Sequence, residues 1–553
     1  MERPLEVLSR GSLGISRRTF LRGGALTALA LASGLAPRGA VGLAPASIPF
    51  SLGVASGDPT HDSVVLWTRL AVDPLNGGGM PHFPVEVKWK MATDAGLRHV
   101  VRRGTVRAVP EDAHSVHVAV TGLTPDRWYW YQFESDGELS PVGRTRTFPV
   151  PGSTPGLLRF AFVSCQHWES GYYTALEHLA QEDIDFVIHL GDYIYEEDTP
   201  ASRVRYHVPM SDGLTLDDFR NRYAQYRSDA HLQAVHAKFP FIVTWDDHEV
   251  EDNYAADVSE NNRDTNRSND ISPPEFRARR TRAYKAFLEH LPLDPRVRLT
   301  GANARLFRRF DWGRLAQFHV LDTRQFRSNQ PCAGTKDLLP PAGDDVVVAC
   351  GEELNPSATM TGAAQEKWLM DGLLRSKSRW NVIAQQVMMA AVDFGPGIAR
   401  FDSRFAGRQV RNVDAWDGYV AARNHLLDNV LEQEIANLVV LSGDVHSSWV
   451  AELKADFADP ASPIVGTEFV GMAISSYFRR EFVPIIEGAL LDPANAHVKF
   501  FDGASHGYVR CLVTPEEWRS DYRVVDTVSR PVGTVRTLKS FVVRDRHPSL
   551  PLV

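Results

Sequence analysis

Six short apolar runs, 159–164, 186–190, 241–245, 315–322, 381–385 and 437–442, each stop at polar or acidic residues. Runs of this length that do not alternate read as strands buried on both faces. Helix-forming segments lie between them, the pattern of a layered α/β domain in which βαβ units set strands side by side with helices outside. Loops at the carboxyl ends of such strands gather on one edge of the sheet. Cys165, Asp192, Asp247, Asp322, Gln385 and Asp444 are therefore expected to converge although they lie far apart in sequence.

A different rhythm precedes this one. Between about 50 and 150, short segments alternate apolar and polar residues, at 63–69, 85–91 and 117–120, between Gly, Pro and Asp turns. This predicts an all-β immunoglobulin- or fibronectin-like sandwich over 47–150. Leu123-Thr124-Pro125-Asp126-Arg127-Trp128-Tyr129-Trp130-Tyr131 resembles the tyrosine-corner strand of fibronectin type III domains. The segment 149–156, rich in Pro and Gly, reads as a linker into a catalytic domain over 157–553.

The first 46 residues read as an address. Ser16-Arg17-Arg18-Thr19-Phe20-Leu21-Arg22 precedes a modest apolar run, Gly23 to Ala36, and small residues to Ala46. That is the form of a twin-arginine export signal. Such signals carry proteins that fold before crossing the membrane, usually around a cofactor, so the twin-arginine translocase is the expected partner in export. An N-terminal membrane anchor is the competing reading, but the run falls short of the roughly 20 apolar residues a span needs. Cleavage removes six arginines and two glutamates and takes the net charge from −8 to −12. A mature chain so charged, whether secreted, periplasmic or associated with the cell wall, repels nucleic acid and anionic membranes on average. An anionic substrate then needs local positive charge from arginine or metal.

Of the four cysteines, Cys332 and Cys350 flank a loop rich in Pro, Gly and Asp and are expected to pair, which an oxidising compartment allows. Cys511 lies in an alternating stretch and reads as a buried strand residue. Cys165 follows a buried strand, where α/β proteins place functional groups.

Three strand ends repeat one chemical theme: Leu190-Gly191-Asp192-Tyr193-Ile194-Tyr195-Glu196, Trp245-Asp246-Asp247-His248-Glu249 and Leu441-Ser442-Gly443-Asp444-Val445-His446. Gly before Asp lets the backbone turn sharply and bring a carboxylate up to an ion. Carboxylate, imidazole and phenolate donors together suit one or more hard cations. A single Gly-Asp after a strand is an ordinary turn; two of them and an Asp-Asp, each after a buried strand, point to a metal site.

At these residues the chain resembles the calcineurin-like metallophosphoesterase superfamily, and more closely the PhoD-like alkaline phosphatase family. Ser164-Cys165-Gln166, Leu321-Asp322-Thr323-Arg324, Gly53-Val54-Ala55-Ser56-Gly57-Asp58-Pro59 and Leu66-Trp67-Thr68-Arg69 add to the match, which covers essentially the whole mature chain. The resemblance implies ferric iron held by Cys165, Asp192, Tyr195 and His446, and one or two calcium ions held by Asp192, Asp247 and Asp444. Where the wider superfamily has Asn and His, this chain has Asp247 and Asp444, and the all-oxygen set favours calcium over zinc. A hydroxide or oxide held by the metals is implied to attack phosphorus in line, with Arg324 as a forked donor to the phosphate and His248 as general acid. A surface salt-bridge arginine and a packed loop histidine are the plainer readings of those two residues. Gln385 or Gln386 falls near a further ligand position, and Asp322 either orients Arg324 or serves the metals.

Two other classes compete. Gly503-Ala504-Ser505-His506-Gly507 matches the G-x-S-x-G of serine hydrolases, but a nucleophile elbow needs a helix directly afterwards, whereas 508–513 alternates like a strand. His506 and Tyr508 are instead expected to help form the substrate pocket. A non-enzymatic surface binding protein would have no use for clustered strand-end carboxylates. Within the phosphoesterase reading, monoester, diester and phospholipid substrates all remain open, because the segments that cover the pocket, 199–236, 255–280 and 393–424, carry the least pattern.

Overall fold

The computed structural model describes residues 49–197, 203–208, 215–259, 271–332 and 346–550. The segment read as an export signal and much of the polar loop after residue 259 lie outside the described residues. Two large mixed sheets and a minority of helices make an α/β fold.

The first sheet has nine strands. At its centre Leu158–Val163, Phe186–His189, Pro240–Val243 and Val54–Gly57 run parallel, and antiparallel strands flank them on both sides, with His506–Val513 next to Leu158–Val163. The second has seven strands, with Ala316–Val320, Trp380–Ala384, Leu438–Ser442 and Ile464–Val470 parallel. All six apolar runs are thus strands, three in each sheet. The sequence pattern, read as βαβ-built sheets with helices outside, did not say how the runs divide; the chain builds two sheets because both faces of every run need cover, and one sheet supplies it to the other. Phe160, Phe186 and Ile188 of the first sheet share a core with Phe318, Val382 and Leu441 of the second. Helices Leu216–Arg227, Ala230–Lys238 and Pro273–His290 pack with the opposite face of the first sheet, and Gly362–Arg375 and Val420–Glu432 with that of the second.

The first hundred described residues are strand and turn apart from one short 3-10 helix, Pro110–Asp112. Val85–Ala92, Val100–Ala108 and Trp128–Ser135 belong to a separate five-stranded sheet, whereas Val54–Gly57, Val64–Arg69 and Ser115–Val120 extend the nine-stranded one through pairing of Ser56 with Pro240. Tyr129 closes a tyrosine corner, its hydroxyl accepting the backbone N–H of Thr124 at 2.9 Å and donating to the Thr124 carbonyl at 3.2 Å. Cys332 and Cys350 form a disulfide, Cα to Cα 5.7 Å, and Cys511 is buried within its strand.

Candidate metal centre

Every strand-end motif lies at a carboxyl end of a parallel strand, and the backbone there is held in an uncommon conformation. Cys165, Asp192, Asp444 and His446 have φ of 59°, 55°, 65° and 56°. Left-handed backbone costs a non-glycine residue roughly 1–2 kcal/mol, and four instances within one cluster mark a functional site more than a packing accident. Gly191, at φ 115°, makes the turn before Asp192: a Cβ there would lie 2.7 Å from the backbone nitrogen of Asp246. Glu249 fixes the same turn. Its fully buried carboxylate accepts the backbone N–H of Tyr193 at 2.7 Å, of Asp192 at 3.2 Å and of Asp246 at 2.8 Å.

Three donor sets result, in each of which the ligand atoms lie within 4.8 Å of one another: Cys165, Asp192 and His446; Asp192, Asp247 and His248; Asp246, Asp247 and Asp444. Asp192 joins the first set to the second and Asp247 the second to the third. The Tyr195 hydroxyl completes the first, donating to Asp192 Oδ2 at 2.9 Å and lying 3.0 Å from His446 Nε2. His446 Nδ1 faces the Tyr477 carbonyl at 3.0 Å, so it carries the proton and leaves the Nε2 lone pair for a ligand.

The donors fit cations. Asp192 Oδ1 is buried without a hydrogen-bond partner, which is costly for a carboxylate oxygen unless an ion takes it. Burial, then the Asp247 charge, pushes Asp192 far above the carboxylate range; burial and Asp246 do the same to Asp444. Burial, then Asp192, also lifts the Cys165 thiol and the Tyr195 phenol. So much buried negative potential is what a bound cation would neutralise.

The residues expected from sequence divide. Cys165, Asp192, Tyr195, Asp247, His248, Asp444 and His446 come together. His248 Nδ1 meets Glu196 Oε2 at 2.9 Å; burial pulls its pKa down, but Glu196, Asp247 and Asp192 outweigh burial and hold it well above the usual value. Arg324 is close, but its fork is taken: the fully buried guanidinium donates to Asp246, to Asp414 at 2.6 Å and to Asp444 at 2.7 Å, with Asp247 at 3.5 Å. It stands as a counter-ion to the acidic cluster. Gln385 and Gln386 spend their amides on protein partners, among them Trp416 and Thr323. Asp322 accepts the backbone N–H groups of Arg324 and Gln325. His506 sits just behind the cluster, Nε2 to the Ser476 carbonyl at 3.0 Å. Tyr508 does not reach the pocket: it is buried in the helix-facing core and its hydroxyl donates to Glu182 at 2.8 Å. Ser505 is followed at once by strand His506–Val513, so the elbow of a serine hydrolase is absent from this segment.

Sequence reading gave no role to four residues of the site. Asp414 pairs with Arg324 and Arg327, and Glu196 fixes His248. Ser476 Oγ lies 2.7 Å from the Tyr195 hydroxyl and 2.8 Å from the Cys165 carbonyl. Asn253, at φ 53°, lines the cavity beside Asp247 and donates its backbone N–H to Asp247 Oδ2 at 2.7 Å. The cavity, about 280 Å³, is walled on one part by Asp192, Asp247, His248, Asp444 and His446.

Known proteins place the chain directly. The family described as PhoD-like phosphatase matches residues 160–522, and the family described as PhoD-like phosphatase, N-terminal domain, matches 35–149. Alkaline phosphatase D of Bacillus subtilis (strain 168) is 45% identical over 545 residues, covering 97% of this chain and 88% of the relative. A solved structure titled "Structure of PhoD" superposes with a TM-score of 0.83 at 44% identity, over 94% of this chain and 93% of its own. On sequence and on fold alike, the chain belongs to the PhoD-like phosphatase family.

Proposed function

We propose that the chain is an exported, metal-dependent phosphoesterase of the alkaline phosphatase D kind, with ferric iron held by Cys165, Asp192, Tyr195 and His446 and calcium by Asp192, Asp247 and Asp444. As a member of its family it is a phosphoric ester hydrolase. The observation that carries the metal reading is the sharing of Asp192 and Asp247 between adjoining donor sets. A thiol, a phenol and an imidazole on one side suit iron, and an all-carboxylate set on the other suits calcium.

Bound cations would supply positive charge to the phosphoryl oxygens and acidify the attacking water. The protein's own part is placement and proton transfer. Glu196 holds His248 protonated through Nδ1, and Nε2 then gives its proton to the leaving oxygen. Arg324 offsets the charge of Asp246, Asp414 and Asp444 and favours the ionised form of the ligands Asp247 and Asp444. Export by the twin-arginine route, an N-terminal immunoglobulin-like unit over 47–150 and a layered metallophosphoesterase domain over 157–553 belong to the same reading. Among the described residues no helix is long and apolar enough to cross a membrane.

Release of nitrophenolate from para-nitrophenyl phosphate, its bis ester, or both, beside a phosphatidylcholine assay, tests the reading and separates monoesterase, diesterase and phospholipase activity. No hydrolysis of any of the three by metal-loaded protein would overturn it.

A further inference from the structure

Beyond the acidic donors, the cavity is apolar, and the reason is built into the fold. Two short helices, Gly395–Ala399 and Val483–Ala489, and the turn before the second bring Phe394, Ile398, Phe482, Ile485 and Ile486 to the cavity that holds Asp192, Asp247, His248 and Asp444. The helices touch at backbone level: a Cβ on Gly397 would overlap the Ile485 carbonyl oxygen. Beneath them Ile398 packs with Phe405 and Val410, with Phe394 and Ile485 against the same cluster. The wall is therefore a packed layer, not a set of loose side chains.

Most side-chain polar atoms in this part of the lining are already spent on protein, the Asn412 amide nitrogen excepted. Asp417 binds Arg423 at 2.6 Å and accepts the backbone N–H of Val392 at 2.9 Å. Ser447 Oγ donates to the Val445 carbonyl at 3.0 Å and accepts from Trp449 Nε1 at 2.9 Å. Asn412 Oδ1 accepts the backbone N–H of Asp414 at 2.9 Å. A sugar or other polyol placed here would lose water and gain few partners, whereas an apolar group would gain from leaving water. An apolar cavity of about 150 Å³ holds a benzene molecule. The 280 Å³ here has room for a phosphoryl group and a body of about that size.

We infer that the substrates of this site are phosphate esters whose alcohol carries a small alkyl or aryl body, seated against Phe394, Ile398, Phe482, Ile485 and Ile486 while the phosphoryl group lies at the acidic donors. The inference rests on the phosphoesterase reading of the same cavity and adds the class of alcohol. The phosphoryl end is common to all esters, so the wall sets the preference among them.

The test is a homologous series, methyl to octyl, run as alkyl phosphates and as alkyl methyl phosphates with release of the longer alcohol measured. Primary alcohols share leaving-group chemistry, so chain length reports the wall alone. Burying a methylene is worth about 0.8 kcal/mol, roughly fourfold, so kcat/KM should rise about fourfold per carbon and level off once the cavity is full. Glycerol phosphate should fall below butyl phosphate. Phe482→Gln should flatten the slope of the series and Phe482→Leu restore most of it. A flat series, or glycerol phosphate above butyl phosphate, with esters still being hydrolysed, would overturn the inference and leave the phosphoesterase reading standing. No hydrolysis of any ester would overturn that reading instead.

Discussion

Tyr195 and His446 meet at 3.0 Å, hydroxyl to Nε2, across 251 residues of sequence. Their meeting places a phenol and an imidazole beside a buried thiol and a shared carboxylate, a donor set with little structural use other than holding a metal. Ser476 stands directly behind it, its hydroxyl donating to the Tyr195 oxygen at 2.7 Å. Ser476→Ala should weaken metal retention or activity roughly tenfold, the usual scale for a residue that supports a ligand. A phenolate relieved of that hydrogen bond gives up electron density more readily, so any visible band should move to longer wavelength. Absorption spectra of the two purified proteins check both the size and the direction of the change.

Gly191→Ala should destabilise the fold by roughly 3 kcal/mol, combining left-handed strain with a steric overlap that has no flexible partner. The Cβ would lie 2.5 Å from Asp246 Cβ and 2.7 Å from its backbone nitrogen. Gly443→Ala should cost less, since no left-handed strain is added and its Cβ would lie 2.5 Å from Ser164 Oγ, a side-chain tip, and 2.8 Å from Ser164 Cβ, pressing on the residue before Cys165. Thermal unfolding beside metal content reads the effect; wild-type values for both would show that these turns tolerate a side chain.

Arg324→Ala should cost about 3–5 kcal/mol, the range for removing one partner from a buried charge cluster, because Asp246, Asp414 and Asp444 lose their counter-ion together. Arg324→Lys should recover only part of this, since a single ammonium does not span three carboxylates as a planar fork does. Denaturant unfolding measures the loss. A variant of wild-type stability with KM alone raised would instead make Arg324 a phosphate ligand.

Calcium chelation should abolish hydrolysis, with calcium restoring it better than zinc, because Asp247 and Asp444 offer oxygen only. Asp444→His should shift the preference toward zinc. Recovery assays with each metal alone decide between these outcomes.

How far the site was legible follows from what makes each part of it. The six buried strands announce themselves because an apolar run without alternation has nowhere to lie but between layers. Cys165, Asp192, Asp247, Asp444 and His446 follow those strands within a few residues, so local sequence carries their position. The setting of Arg324 was not legible because its partners come from three separate segments, and a guanidinium reads the same in sequence whether it faces phosphate or four carboxylates. Tyr508 was misplaced by parity: Val509, Cys511 and Val513 face the core between the sheets, so Tyr508 must face the helices. Asp414 and the apolar wall fall in 393–424 and 478–486, where short helices and turns leave no periodic trace. The division of the runs between two sheets depends on long-range pairing that strand composition does not encode.

The central claim, that the donors around Asp192 hold iron beside calcium, is tested most directly by metal analysis and visible absorption of one purified sample. A ferric ion bound to the Cys165 thiolate and the Tyr195 phenolate absorbs visible light by ligand-to-metal charge transfer, so the protein should be coloured and carry about one iron per chain. Cys165→Ser and Tyr195→Phe should each shift or bleach the band and lower hydrolysis together with it. A colourless, iron-free preparation with full activity would contradict the account.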